Sequence, residues 1–338
     1  MSDDTLDAAY DRLLSTGPEF DGWLSNHGPM AAEALTRHGH ADDVSAWLDT
    51  YCRRLEPAPT FSRRIDDWRG ALGNPRQLGD WLGYFDEQLR RASWNDVLAT
   101  WWPRLIPGIA AGATHGVIRV GHAVRALREA GATEARIAEL AQGLGYWAAR
   151  WQPVPGAAVP SGQLSASDAL AALPRIHQQD GGIAARLAQL DTLDDWSQAQ
   201  GGLRPHDDWQ QFLREVVTAA VHRYATHAHG DAIMLVHAAT SPNAVLRTLP
   251  SLPRELWQAS SAAAWSASAA VHAAYAPEFA ADPSTSRTTA VDAFERAVRH
   301  GDEHVIKFAD TALDAYAWGG GDGVLAAIET AVTLVEVE

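Results

Sequence analysis

Lysine is almost missing from this sequence. Of the 27 basic residues, Lys307 alone is lysine and the other 26 are arginine. Arginine stays a cation in proteins, whereas a buried lysine amine loses its proton readily and then serves as a nucleophile or a ligand. A composition so biased toward arginine favours a specific task for the lysine that remains. The alternative is that Lys307 has no special task and lies on a solvated helix face.

Cysteine and long apolar runs are scarce as well. Cys52 is the single cysteine in 338 residues, which excludes an intrachain disulfide and suits a reducing compartment. No apolar run approaches the length of a transmembrane helix. The acidic N-terminus lacks the basic-then-apolar order of a signal peptide. We therefore expect a cytoplasmic protein.

Positive charge is in deficit, since the formal net charge is -15. Affinity for phosphate backbones and for anionic membrane surfaces comes mostly from basic side chains. We therefore expect neither a nucleic acid nor a membrane as a partner.

Runs of alternating β-branched residues are also missing, and helical periodicity dominates. The pattern predicts an all-α fold, with a single large domain over residues 1–338 and about a dozen helices around a central metal or ligand pocket. Residues 152–165 form a linker-like loop rich in Pro, Gly, Ala and Ser. Histidines of chemical interest lie on both sides of this loop, so it does not clearly separate two domains.

Tryptophan and histidine are abundant, with 14 residues each against 7 Phe and 7 Tyr. Tryptophan suits a large helical core or an aromatic ligand pocket. Between Trp101 and Gly121, the small residues Ala110, Gly112 and Gly116 predict room for one wall of an apolar pocket.

Five histidines differ from the rest, which are typical of helix ends, loops or surfaces. His27 lies in a stiff Asn-His-Gly-Pro turn, and His237 has apolar neighbours on both sides. His115 and His122 lie at i and i+7 of one helix, each next to a glycine in an apolar stretch where an unpaired imidazole would be costly. His304 shares a helix with the lysine. A set rich in imidazole and free of thiol suits zinc, copper, iron or nickel.

The segment around the lysine is the most unusual in the chain. Read as a helix, it places His304, Lys307 and Thr311 on one face, with Asp310 and Asp314 beside them. An imidazole, an amine and two carboxylates on one stripe are an odd way to build a core.

Four blocks in this order carry a resemblance to a known family: Asn26–Met30, His115–Arg125, His237–Pro250 and Gly301–Lys307. They resemble the blocks of the questin oxidase-like family and cover the chain from about residue 26 to residue 314. Fungal relatives oxidatively cleave the ring of anthraquinones such as questin. At least one relative is similar to a non-haem iron oxygenase whose metal is held by four histidines and a carboxylated lysine.

The resemblance implies the residues of the site. Lys307 matches the carboxylated lysine, and Lys307 and His304 are the candidate catalytic residues. Five histidines compete for four places, and the spacing of His115 and His122 puts one of that pair in question. The candidate metal ligands are His27, His115, His122, His237, His304 and Lys307.

The resemblance also implies the reaction: an oxygenase dependent on Fe(II), or on another divalent transition metal, that oxidises or cleaves an aromatic, polyketide-like ring with O2. NADPH is a candidate reductant. Two other functions fit the residues. One is a helical hydrolase whose metal lowers the pKa of a bound water, and the other is a non-catalytic helical binding module with its histidines in the core.

Overall fold

Helices make up most of the chain. The structure, a computed structural model, describes residues 2–283 and 288–336. In this part of the chain thirteen α-helices have ten residues or more, and five have four to six. The only strands described there are β1 (Glu19–Phe20) and β2 (Leu24–Ser25), which pair in an antiparallel hairpin. The all-α prediction is confirmed, and the thirteen longer helices correspond to the predicted dozen.

The chain divides into two compact units, Met1–Pro153 with Arg247–Leu256, and Val154–Leu246 with Trp257–Glu338. The change at Pro153 falls inside the linker-like loop of residues 152–165. The prediction of one domain over residues 1–338 stays a prediction.

The first unit contains the hairpin and eight helices. These are α1 (Ser2–Leu14), α2 (Gly28–Arg37), α3 (Ala41–Tyr51), α4 (Trp68–Ala71), α5 (Leu78–Arg91), α6 (Trp94–Leu105), α7 (His115–Glu129) and α8 (Glu134–Ala149). Side-chain caps define several starts: Ser93 accepts the Asp96 N–H before α6, and Thr133 accepts the Arg136 N–H before α8. Helix α8 packs against both α5 and α7.

Small residues let these helices approach closely. A Cβ added to Gly145 of α8 would lie 2.8 Å from the Leu82 side chain of α5. A Cβ on Gly116 of α7 would lie 2.8 Å from Trp147, and one on Gly112 would overlap the hydroxyl of Tyr146. The prediction of space for a ligand at Gly112 and Gly116 is therefore wrong, because aromatic side chains of α8 fill that space.

The second unit contains the remaining helices. These are α9 (Ala166–Ala171), α10 (Ile183–Leu187), α11 (Trp196–Gly201), α12 (Trp209–His227), α13 (Ala232–Leu235), α14 (His237–Thr248, whose last two residues belong to the first unit), α15 (Trp257–Tyr275), α16 (Ala290–His300), α17 (Glu303–Ala317) and α18 (Asp322–Leu334). Three-residue 3-10 turns occur at Cys52–Arg54, Pro75–Gln77, Ile106–Gly108, Leu190–Thr192, Ala228–Gly230, Leu249–Ser251 and Arg254–Leu256.

Helix α17 is largely buried and carries His304 and Lys307. It packs against α12, α16 and α18. Phe308 is fully buried against Tyr224 of α12, with ring centroids 4.2 Å apart. Lys307 lies on the same helix and is also fully buried. Among the described residues, no helix combines the length and apolar character needed to cross a membrane.

Candidate metal centre

His27 of the first unit is held by the turn that starts α2. The side-chain amide of Asn26 donates to the Gly17 carbonyl at 2.9 Å, and its oxygen accepts the Gly28 N–H at 2.9 Å. The backbone N–H of His27 donates to the Tyr51 hydroxyl at 2.6 Å. Pro29 then fixes the φ of the second helical residue. The predicted stiffness of this turn is confirmed by these contacts.

A strained turn presents His115, the first residue of α7. Gly112, Ala113 and Thr114 have φ values of 52°, 58° and 70°. Left-handed backbone is ordinary for glycine but costly for a β-branched residue such as Thr114. The Thr114 hydroxyl is also buried without a hydrogen-bond partner in the described part of the chain. The turn folds the Gly112 carbonyl back onto the His115 ring, where it accepts a hydrogen bond from Nδ1.

His27 and His115 meet through their Nε2 atoms, 2.6 Å apart, with the ring planes at 84°. A carbonyl oxygen can only accept, so the contact with Gly112 places the His115 proton on Nδ1 and leaves a lone pair on Nε2. His27 Nε2 then donates to that lone pair in the metal-free protein. Both rings are buried, at 5% and 7% exposure.

This histidine pair fits a transition metal. Metal-bound imidazoles usually donate their second ring N–H to a carbonyl or carboxylate, as His115 does to Gly112. Two nitrogens bound to one ion at about 2.1 Å and about a right angle lie about 3 Å apart. An ion would therefore replace the proton between the rings and need only a small separation of the two nitrogens.

His122 has different partners. Its Nδ1 lies 2.7 Å from Glu33 of α2, and its Nε2 lies 3.4 Å from the Arg247 guanidinium. Arg125 also binds Glu33 through Nε at 2.7 Å. Burial raises the pKa of Glu33, but Arg125 and His122 outweigh it and bring the pKa to about 2. The structure does not bring His122 to the His27–His115 pair.

Glu33 is a residue that sequence reasoning missed. It is 3% exposed in an otherwise apolar segment of α2. A carboxylate in such a segment needs a cationic partner when it is buried. That signal was present in the sequence, although the partner could not be named from it.

His237 and Lys307 form the corresponding cluster of the second unit. His237 Nδ1 donates to the Met234 carbonyl at 3.0 Å, which leaves a lone pair on Nε2. Lys307 Nζ lies 3.1 Å from that Nε2. Both side chains are fully buried. Burial lowers the pKa of Lys307 to about 7, against a smaller opposing effect of Glu303 and Asp302.

His304 completes this cluster. Its ring centroid lies 6.0 Å from that of His237, and a ring nitrogen of each lies within 4.8 Å of the other. Asp302 caps α17 by accepting the His304 N–H at 2.7 Å, and its carboxylate lies 3.3 Å from His304 Nδ1. Burial raises the pKa of Asp302, but hydrogen bonds from His304 lower it below its ordinary value. Asp302, Glu303 and His304 together offer a further set of ligand atoms.

The polar stripe predicted on α17 is largely buried. Asn243 of α14 donates to Thr311 at 3.3 Å and to the Asp314 carboxylate at 3.0 Å. Asp310 is fully buried. The alternative of a solvated helix face is therefore wrong for Lys307 and its neighbours.

The sequence model of the questin oxidase-like family matches residues 31–312. The chain belongs to this family. The matched range contains His115, His122, His237 and the α17 pair His304 and Lys307, and it begins four residues after His27. No curated protein matches this member of the questin oxidase-like family.

The family description names oxidase chemistry, which places the chain in the broad class of oxidoreductases. Its two histidine clusters and neighbouring carboxylates are groups that can hold a metal ion. Both clusters present an Nε2 lone pair whose ring is held at Nδ1 by a backbone carbonyl. Imidazoles that bind metals commonly have their second ring nitrogen held in this way.

Proposed function

We propose that this chain is a metal-dependent oxygenase that uses O2 to oxidise an aromatic, polyketide-like ring, with Fe(II) as its metal. The observation that carries the proposal is the buried contact between Lys307 Nζ and His237 Nε2. A buried amine beside a histidine lone pair has little value for stability. It becomes useful when both atoms bind an ion.

The donor set supports a borderline metal such as iron. Neutral imidazoles suit iron, copper, nickel and zinc, whereas hard cations prefer oxygen. Lys307 adds an oxygen donor if its neutral amine attacks CO2. The N–C bond forms, the amine releases one proton, and the product is a carbamate anion. Burial favours the neutral amine that this step needs.

These contacts support one set of ligands for the ion. We propose His27, His115, His237, His304 and carboxylated Lys307, and we place His122 outside the set because Glu33 and Arg247 already occupy both of its ring nitrogens. That these residues bind one ion per chain stays a prediction, and metal content tests it.

The metal, once bound, supplies the binding and activation of O2. The residues of the chain itself hold and orient the metal ligands. The Gly112 and Met234 carbonyls keep the His115 and His237 rings in the Nδ1–H tautomer. Burial of Lys307 and its histidine neighbour excludes water from the ligands. NADPH is the proposed source of electrons if the reaction consumes more electrons than the oxidised ring supplies.

The experiment is O2 uptake by protein loaded anaerobically with Fe(II). We expect O2 consumption with hydroxylated anthraquinones, and incorporation of labelled oxygen into the product. Parallel measurement of NADPH oxidation shows whether a reductant is consumed. Lys307→Arg keeps a long cationic side chain but cannot form a carbamate, so we expect it to lose metal and to consume no O2, and its unfolding free energy checks that it is folded.

Bicarbonate provides the control. It should increase the activity of wild-type protein prepared in CO2-depleted buffer, and it should not restore Lys307→Arg. Metal-dependent hydrolysis of an ester substrate without O2 uptake would contradict the oxygenase proposal and favour the hydrolase alternative.

A further inference from the structure

The second unit contains a cavity that none of the candidate metal ligands lines. Its volume is about 220 Å³, and it lies among α9, the middle of α12 and the end of α15. Leu170 and Ala276 provide apolar walls, and Arg175, Arg223, His272 and Glu278 provide polar groups. Pockets for drug-sized ligands begin at about 300 Å³, so this cavity suits a smaller molecule.

Arg223 is a cation without a counter-charge. It is partly buried, and among the described residues its side chain forms no ion pair. Its Nε is buried without a hydrogen-bond partner in this part of the chain. Burial lowers the pKa of the guanidinium, and no carboxylate offsets the effect. Buried charges are normally paired, so the residue fits an anion supplied by a ligand.

Arg175 adds a second guanidinium at the exposed side of the cavity. Its Nε donates to the Ala276 carbonyl at 2.8 Å, which fixes the plane of the group. Its closest carboxylate is Glu278 at 4.0 Å, and both side chains are well exposed. Exposed ion pairs of this kind contribute little to stability. Glu278 therefore competes only weakly with an incoming anion.

His272 supplies the opposite kind of group, a hydrogen-bond acceptor. It is 3% exposed, and its Nδ1 donates to the Ser268 carbonyl at 2.9 Å. Burial lowers the pKa of His272 to about 3, so the ring is neutral. Its Nε2 then carries a lone pair, for which no donor is present among the described residues. A ligand hydroxyl is the matching group.

We propose that this cavity binds a small hydroxycarboxylate anion, with Arg223 and Arg175 holding the carboxylate and His272 accepting a hydrogen bond from the hydroxyl. A bare inorganic anion satisfies the guanidiniums alone. An uncharged alcohol satisfies the imidazole alone. Only a molecule that carries both groups satisfies all three side chains. The site is separate from the proposed oxidation and does not depend on it.

The test uses lactate as the probe, with propionate and lactamide as analogues that lack the hydroxyl and the charge. Titrations of the full chain are followed by NMR or calorimetry. We expect lactate to bind at least fivefold more tightly than propionate, because one hydrogen bond is lost, and lactamide to bind more weakly than either. Arg223→Gln should weaken lactate binding at least tenfold, and Arg175→Gln should weaken it less.

His272→Phe separates the two halves of the proposal. It should abolish the preference for lactate over propionate while leaving propionate affinity unchanged. Arg204→Gln is the matched control, since Arg204 is exposed and lies outside the cavity lining, and it should change nothing. The unfolding free energy of each variant checks that it is folded, and the exposed Arg175 keeps the test valid if Arg223→Gln is unstable.

Three results would overturn the proposal. Equal affinity for lactate and propionate in the wild-type chain would remove the role of His272. Lactate binding that survives both arginine variants would place the anion elsewhere. Inorganic phosphate that displaces lactate and binds equally well to His272→Phe would show a general anion site in place of a hydroxycarboxylate site.

Discussion

Replacing Lys307 with methionine should make the metal-free protein more stable. The side chain is fully buried, and burial takes its pKa from 10.5 to about 7. At 1.36 kcal/mol for each pKa unit, this corresponds to a cost of about 5 kcal/mol at pH 7. Methionine has a similar shape and no charge. It loses the hydrogen bond to His237, which reduces the gain by about 1–2 kcal/mol. We expect a net gain of about 3 kcal/mol.

The pH dependence gives a second, sharper signature. Between pH 7 and pH 10.5 the unfolded lysine binds a proton that the folded lysine does not. The stability of the wild-type protein therefore rises with pH across this window. The penalty is complete below about pH 7 and absent above about pH 10.5. The advantage of Lys307→Met should be largest near pH 7 and shrink at pH 9.5.

Urea unfolding followed by circular dichroism measures both effects. Wild type, Lys307→Met and Lys307→Leu are compared after chelation, in CO2-depleted buffer, at pH 7 and pH 9.5. The same variants should not retain metal when loaded. If Lys307→Met is less stable than the wild type at pH 7 and the two respond to pH in parallel, the lysine is a stabilising core residue and the reasoning fails.

Two further predictions concern the ligands and the turn that holds one of them. His27→Gln and His237→Gln should each lose most of the bound metal by elemental analysis, whereas His122→Gln should keep it; full retention in the first two would remove them from the ligand set. Gly112→Ala should destabilise the protein by about 3 kcal/mol or more and weaken metal binding, because its Cβ would overlap Tyr146. Gly131→Ala, at a left-handed position with open space around it, should cost only about 1 kcal/mol and leave metal affinity unchanged.

The fold class could be predicted because it depends on a property of each segment alone. The thirteen helices of ten residues or more in the described part of the chain have at least two full turns, so their apolar period is visible in the sequence. Helices such as α4 (Trp68–Ala71) and α13 (Ala232–Leu235) have four residues. They complete about one turn, show no period and depend on tertiary packing, so they could not be predicted.

The candidate site was predictable where the signal was local. Lys307 stands out by its rarity, and His27 by its stiff turn. The choice between His115 and His122 was not local, because both lie on one helix in similar surroundings. Glu33, from another helix, binds His122, and this contact is our reason for proposing His115 as the ligand. Residue spacing contains no information about such a partner.

The cavity among α9, α12 and α15 was even harder to predict from the sequence. Arg175, Arg223 and His272 come from three separate segments, and none lies in a recognisable motif. One arginine among 26 is not conspicuous. Only the three-dimensional structure shows that Arg223 lacks a carboxylate partner within the described part of the chain.

Two residues that lower the stability of the fold bear on the choice between an enzyme and a non-catalytic helical module. Thr114 holds a left-handed backbone, at about 1–2 kcal/mol, and buries an unpaired hydroxyl, at about 1–3 kcal/mol. Lys307 is a buried amine in the other cluster of candidate ligands, beside His237. Both costs fall beside histidines whose Nε2 lone pairs are held by backbone carbonyls. A module that uses histidines only as core residues gains nothing from either cost, whereas the proposed metal, bound to those nitrogens, would offset both.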